Sequence, residues 1–145
     1  MKVIEKNPTI LLTGTVSTTL DLELVVTIPD DGSPWGMNMG ALGTPPGLIA
    51  LSGDGKSRAV TVQMGGGKSA AKHSFQLKPG EKSFNLRLLV DKVIVEVFVA
   101  DGRAVGTTGV PQGVDATKAS ITLVATSNPL SIRNINAWNM GSCSK

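Results

Sequence analysis

Residues 83–108, SFNLRLLVDKVIVEVFVADGRAVGTT, constrain the fold more than any other stretch of the chain. Apolar residues alternate on both sides of Asp91-Lys92. Folding the chain there as a two-residue loop predicts the partners Val90 with Val93, Leu88 with Val95, Leu86 with Val97 and Phe84 with Val99. Every pair is apolar. The opposite face then pairs Leu89 with Ile94, Arg87 with Glu96 and Asn85 with Phe98, which sets a cation against a carboxylate across the strands. A one-residue slip would turn the whole apolar set to the other face, so the pattern specifies which side is buried. Asp101-Gly102 predicts a second tight turn, because both residues tolerate the positive φ of a type I′ turn. It leads into a third strand over 103–108.

Similar signals recur along the chain. A charged lead-in over residues 1–8 precedes a short edge strand at Thr9 to Leu12. Leu20, Leu22, Leu24, Val26 and Ile28 alternate with Asp21, Glu23, Val25 and Thr27, which predicts a strand with one buried face. The cluster from Pro29 to Pro34 ends it. Further strands are expected at 35–42, 48–51, 58–64, 73–77 and 120–125, with turns at Pro45-Pro46-Gly47, Asp54-Gly55, Pro79-Gly80 and Asn128-Pro129. The stretch LSIRNINAWNM, 130–140, predicts a last strand pairing back near the N-terminal one. The chain has 145 residues, with 17 Gly and 8 Pro punctuating short β-branched runs. That length fits one domain, 1–145, able to bury about 68–70% of the surface its unfolded chain exposes. About ten to twelve strands at such spacing predict an all-β, two-sheet antiparallel sandwich.

The composition argues against several function classes. A net charge of +3 spread along the chain, with three Phe, two Trp and no Tyr, lacks the basic face and stacking aromatics of a nucleic-acid binder. No apolar run approaches the roughly 18 residues that cross a bilayer, and the first residues carry no apolar leader core, so neither membrane nor compartment is indicated. The single cysteine, Cys143, cannot close a disulfide within the chain and reads as a free thiol.

Candidates for chemistry are few. Gly65-Gly66-Gly67-Lys68-Ser69 ends like a phosphate-binding loop, but the glycine required five places before Gly67 is Val62. His73 is the only histidine; no metal or cofactor is called for, and no nucleophile has an orienting base. Glu96, in mid-strand, reads as the ion-pair partner of Arg87 rather than a catalytic acid, which would want a second carboxylate. The basic stretch 68–82 reads as a solvated edge. Trp35 and Trp138 are the candidate sugar contacts, weighed against the reading of each as core.

The central hairpin resembles the C-terminal β-sandwich of glycoside hydrolase family 32, the invertases, fructanases and related β-fructofuranosidases. There a strand ends in Val-Asp, turns and returns as Val-Glu-x-Phe, matched by Val90, Asp91, Val95, Glu96 and Phe98. NINAWNM is similar to that domain's last strand, with Trp138 and Met140 at its Trp-x-Met, and 21–27 is similar to an early strand. Two features depart from the pattern. Val93 stands where the family usually has serine. After the meander, Thr107 to Pro111 lacks the arginine and aromatic of the family's Thr-x-Arg-aromatic-Pro run. The resemblance implies a concanavalin A-like jelly roll in which Arg87, Asp91, Glu96 and Phe98 are structural. The family's catalytic residues lie in an N-terminal propeller whose Asp-Pro and Glu-Cys motifs this chain does not contain, so the resemblance implies no catalytic residue here. Its implied role is support of, or contact with, a catalytic propeller or a second copy of itself. The alternative is a stand-alone lectin-like module for fructan or another glycan.

Overall fold

A computed structural model describes residues 2–6, 9–13, 19–41, 48–54, 56–65, 71–109, 121–127 and 131–140. The strands are β1 Lys2–Lys6, β2 Thr9–Thr13, β3 Thr19–Thr27, β4 Pro34–Ala41, β5 Ile49–Asp54, β6 Ala59–Met64, β7 Ala71–Gln76, β8 Ser83–Asp91, β9 Ile94–Val99, β10 Ala104–Gly109, β11 Ile121–Ser127 and β12 Ser131–Asn139. They form a seven-stranded sheet, β1-β2-β11-β4-β5-β6-β7, and a five-stranded sheet, β10-β9-β8-β3-β12. All pairings are antiparallel. The expected two-sheet sandwich is what the chain forms. The turn signals at 45–47 and 128–129, the stretch 66–70 and Cys143 lie outside the described residues.

Period-two patterning decides which faces meet. From the five-stranded sheet, Leu20, Leu22, Leu24 and Val26 of β3, Phe84, Leu86, Leu88 and Val90 of β8, and Val95, Val97 and Val99 of β9 all point inward and are buried. Trp35, Met37 and Met39 of β4, Ile49 and Leu51 of β5, and Val60, Val62 and Met64 of β6 meet them from the other sheet. Fully burying each such side chain stabilises the fold by about 1.5–3 kcal/mol, so this interior supplies most of the driving force.

The hairpin register differs from the expected one by two residues. Asp91 pairs with Ile94, Val90 with Val95, Leu88 with Val97 and Leu86 with Val99, and the loop is Lys92-Val93. A two-residue shift leaves every strand side chain on its own face while the partners change; the one loss from the expected inward set is Val93, which passes into the loop and is exposed. Arg87 therefore stands opposite Phe98, and Glu96 opposite Leu89. The second turn carries positive φ at Asp101 (56°) and Gly102 (85°), and Arg103 N–H donates to the Ala100 carbonyl at 3.3 Å.

Three other expectations are corrected. The lead-in contains a strand, β1, which pairs with β2. β2 lies between β1 and β11 and so is not an edge. β12 pairs with β3, in the sheet opposite β1 and β2.

Two arginines fasten the crossover from β7 to β8, where the chain passes between sheets. Arg58 Nη2 donates to the carbonyls of Lys78 and Glu81, both at 2.6 Å. Arg103 donates to the Glu81 carboxylate and, at 3.2 Å, to the Gln76 carbonyl. Its guanidinium also lies 5.0 Å from the centre of the Phe75 ring. The 68–82 stretch is thus, at its C-terminal end, a clasp built on Glu81 rather than only a solvated edge.

Candidate functional site

The outer face of the five-stranded sheet carries the outward residues of β3, β8, β9, β10 and β12 in rows that follow from the register. One row runs Asn136, Glu23, Arg87, Phe98, Val105. The next runs Trp138, Asp21, Leu89, Glu96, Thr107. Beyond it lie Thr19, Asp91, Ile94 and Gly109. On the other side of the first row, Arg133 pairs with Val25 and Val25 with Asn85.

Arg87 sits at the middle of this face. Its Nε and Nη2 donate to the two carboxylate oxygens of Asp21 at 2.9 and 2.6 Å, a two-pronged contact across the diagonal between β8 and β3. Glu23, directly opposite, lies 3.6 Å from Nε. The hydrogen bond it donates to Asp21, and then the Asp21 charge, push the Arg87 guanidinium up from its ordinary value. The expected Arg87–Glu96 pair does not form, because the two-residue shift moves Glu96 opposite Leu89.

β12 breaks its alternation between Arg133, opposite Val25, and Asn136, opposite Glu23. Asn134 adopts φ 52° at this bulge, a conformation asparagine tolerates better than most residues. The extra residue keeps both Ile132 and Ile135 packed against the core while turning Arg133, Asn134 and Asn136 outward. A groove of about 490 Å³ results, with Asn134 and Asn136 at one wall, Glu23, Asn85 and Arg87 along its middle and Phe98 beyond. The Asn85 amide donates to Asp101 at 3.1 Å, which ties the second turn to the groove.

The two tryptophans separate. Trp35 is 2% exposed, with its ring centre 5.9 Å from that of Phe84. A sugar cannot reach it, and its place as a candidate contact is corrected to core. Trp138, 50% exposed, stands on the outer face beside Asp21. The other large exposed apolar residues among those described are Val93 (64%), Ile94 (48%) and Val105 (44%). Ile94, Val105 and Trp138 project from this same face, and Val93 lies at the hairpin tip beside it. Asp91 is exposed at that tip, and Phe98 and Glu96 are half-buried on the face. Toward the hairpin tip the face therefore carries Trp138, Leu89, Ile94 and Val93 interleaved with Asp21, Asp91 and Glu96, and toward its other end lies the groove. Sequence reasoning missed the groove; its one signal was the three-residue spacing of Ile132 and Ile135, which breaks strict alternation.

This architecture defines a jelly-roll sandwich of the kind found in two groups of solved structures. The fructosyltransferase of A. japonicus matches with a TM-score of 0.63 and 15% identity over 96% of this chain and 25% of that chain. The exo-inulinase of Aspergillus awamori matches at 0.60 and 18% over 97% of this chain and 29% of that one. The galectin LEC-6 of Caenorhabditis elegans matches at 0.60 and 16%, over 95% of both chains. The chain thus spans about a quarter to a third of the length of the fructosyltransferase and the exo-inulinase and nearly all of the galectin's. No curated protein sequence matches it. The sequence profile of the C-terminal domain of glycosyl hydrolases family 32 matches residues 51–139, and the chain belongs to that family.

Proposed function

We propose that residues 1–145 form one non-catalytic sandwich module of a β-fructofuranosidase-like protein, which works by protein contact and supports a catalytic propeller. The observation that carries this reading is the gathering of Trp138, Leu89, Ile94 and Val93 at one end of one sheet face. Exposed apolar side chains interleaved with the carboxylates of Asp21, Asp91 and Glu96 make the mixed apolar and charged kind of surface that protein contacts use. Val93 adds to this, being apolar at an exposed turn where the family usually carries serine. Membership in a family defined by a C-terminal domain supplies the partner: the propeller of the same enzymes. Mixing this chain with a family 32 propeller lacking its own sandwich should give a one-to-one complex by light scattering. Detection of the two species unchanged, or of a dimer of this chain alone, would count against it.

The groove favours a second reading, a lectin-like module for fructan or another glycan. Its supports are the polar lining around Phe98 and the exposed ring of Trp138.

A further inference from the structure

We propose that the groove on the outer face of the five-stranded sheet holds a short neutral oligosaccharide, seated on Phe98 and read by Asn85, Arg87, Asn134 and Asn136. This rests on the glycan-binding reading and gives it a site away from Trp35.

The lining selects the chemistry. Glu23 and Asp101 oppose an anionic ligand, and the one guanidinium in the groove, Arg87, is already held by Asp21 and flanked by Glu23. Sulfated and phosphorylated ligands are disfavoured on both counts. Among the described residues no group of three or more His, Cys, Asp or Glu could hold a metal ion. What the groove offers is a mixture of donors and acceptors fixed in place. Asp21 orients the Arg87 fork, whose Nη1 has no bonded partner among the described residues, and Asp101 orients the Asn85 amide, whose oxygen is left to accept. The Asn134 and Asn136 amides make no side-chain bond among the described residues, and the bulge turns both outward. Each amide presents a donor and an acceptor together, the match for a hydroxyl that both donates and accepts. Phe98 and Val25 add the apolar surface on which the C–H face of a sugar ring rests. The volume of about 490 Å³ falls in the roughly 300–1,000 Å³ range of small-molecule sites.

The test titrates the chain with nystose and shorter fructo-oligosaccharides, galacto-oligosaccharides, malto-oligosaccharides and a sulfated oligosaccharide. Heat of binding and the side-chain amide NMR signals of Asn85, Asn134 and Asn136 are read together. The control is Gln63→Ala, on the outer face of the other sheet. The test variant is Asn134→Gly with Asn136→Ala, in which glycine accepts the positive φ and the strand keeps its bulge. At least one neutral series should saturate and shift those amides. The double variant should weaken binding by about tenfold or more, as expected for losing about 1.4 kcal/mol of hydrogen bonding, with Gln63→Ala unchanged. Neutral-sugar binding that the double variant leaves intact overturns the site while sparing the glycan-binding reading. Absence of any neutral-sugar binding overturns both, and preference for the sulfated ligand overturns the ligand class.

Discussion

Arg87 grips Asp21 with both prongs of its guanidinium, at 2.9 and 2.6 Å, across 66 residues of sequence. The contact ties β8 to β3 at the centre of the outer face, beside the groove. A double-mutant cycle on Asp21→Ala and Arg87→Ala, followed by chemical denaturation, should show positive coupling. The same cycle on Glu96→Ala and Arg87→Ala should show none. Arg87→Lys should lose most of the Asp21 coupling, because an ammonium cannot make the paired contact.

Gly53 and Trp35 face each other directly on β5 and β4. A Cβ added at Gly53 would lie 2.5 Å from the Trp35 ring, a rigid body with no room to retreat. Gly53→Ala should therefore destabilise by about 1–3 kcal/mol, the usual cost of overpacking. Gly106→Ala also meets a neighbour, the sulfur of Met64, but that side chain can rotate away. Its denaturation midpoint should fall less than that of Gly53→Ala.

Glu81 closes the crossover by accepting from Arg103. That hydrogen bond, opposed in part by desolvation and helped by the Lys78 N–H, holds its carboxyl below the ordinary value of 4.5. A carboxylate with a depressed folded pKa stabilises the fold fully above its unfolded pKa. The contribution is lost as pH falls through the folded value. Wild type should therefore exceed Glu81→Gln in denaturation midpoint at pH 6, and the two should converge as the pH drops well below 4.5.

The buried faces were legible in the sequence because alternation is a property of each strand alone. Leu20 to Val26 and Phe84 to Val90 show it without help from the rest of the chain. Register was not, since a shift of two residues preserves every face, and the attraction of Arg87 for Glu96 made the wrong register look satisfied. Its true partner, Asp21, belongs to a strand whose neighbours only the sheet topology reveals. Trp35 shows the same alternation, since Trp35, Met37 and Met39 alternate with Gly36, Asn38 and Gly40, and all three are buried. Asn134 reads as an ordinary strand residue until its positive φ shows the bulge.

The working claim is that the hairpin-tip end of the outer face of the five-stranded sheet, around Trp138, Ile94 and Val93, is the contact surface. The most direct measurement compares Ile94→Asp with Gln63→Asp for complex formation with a family 32 propeller, by sedimentation velocity, after circular dichroism has confirmed that both fold. Ile94→Asp should abolish the complex and Gln63→Asp should leave it intact. A complex lost with Gln63→Asp and kept with Ile94→Asp would place the contact on the other sheet and contradict the assignment.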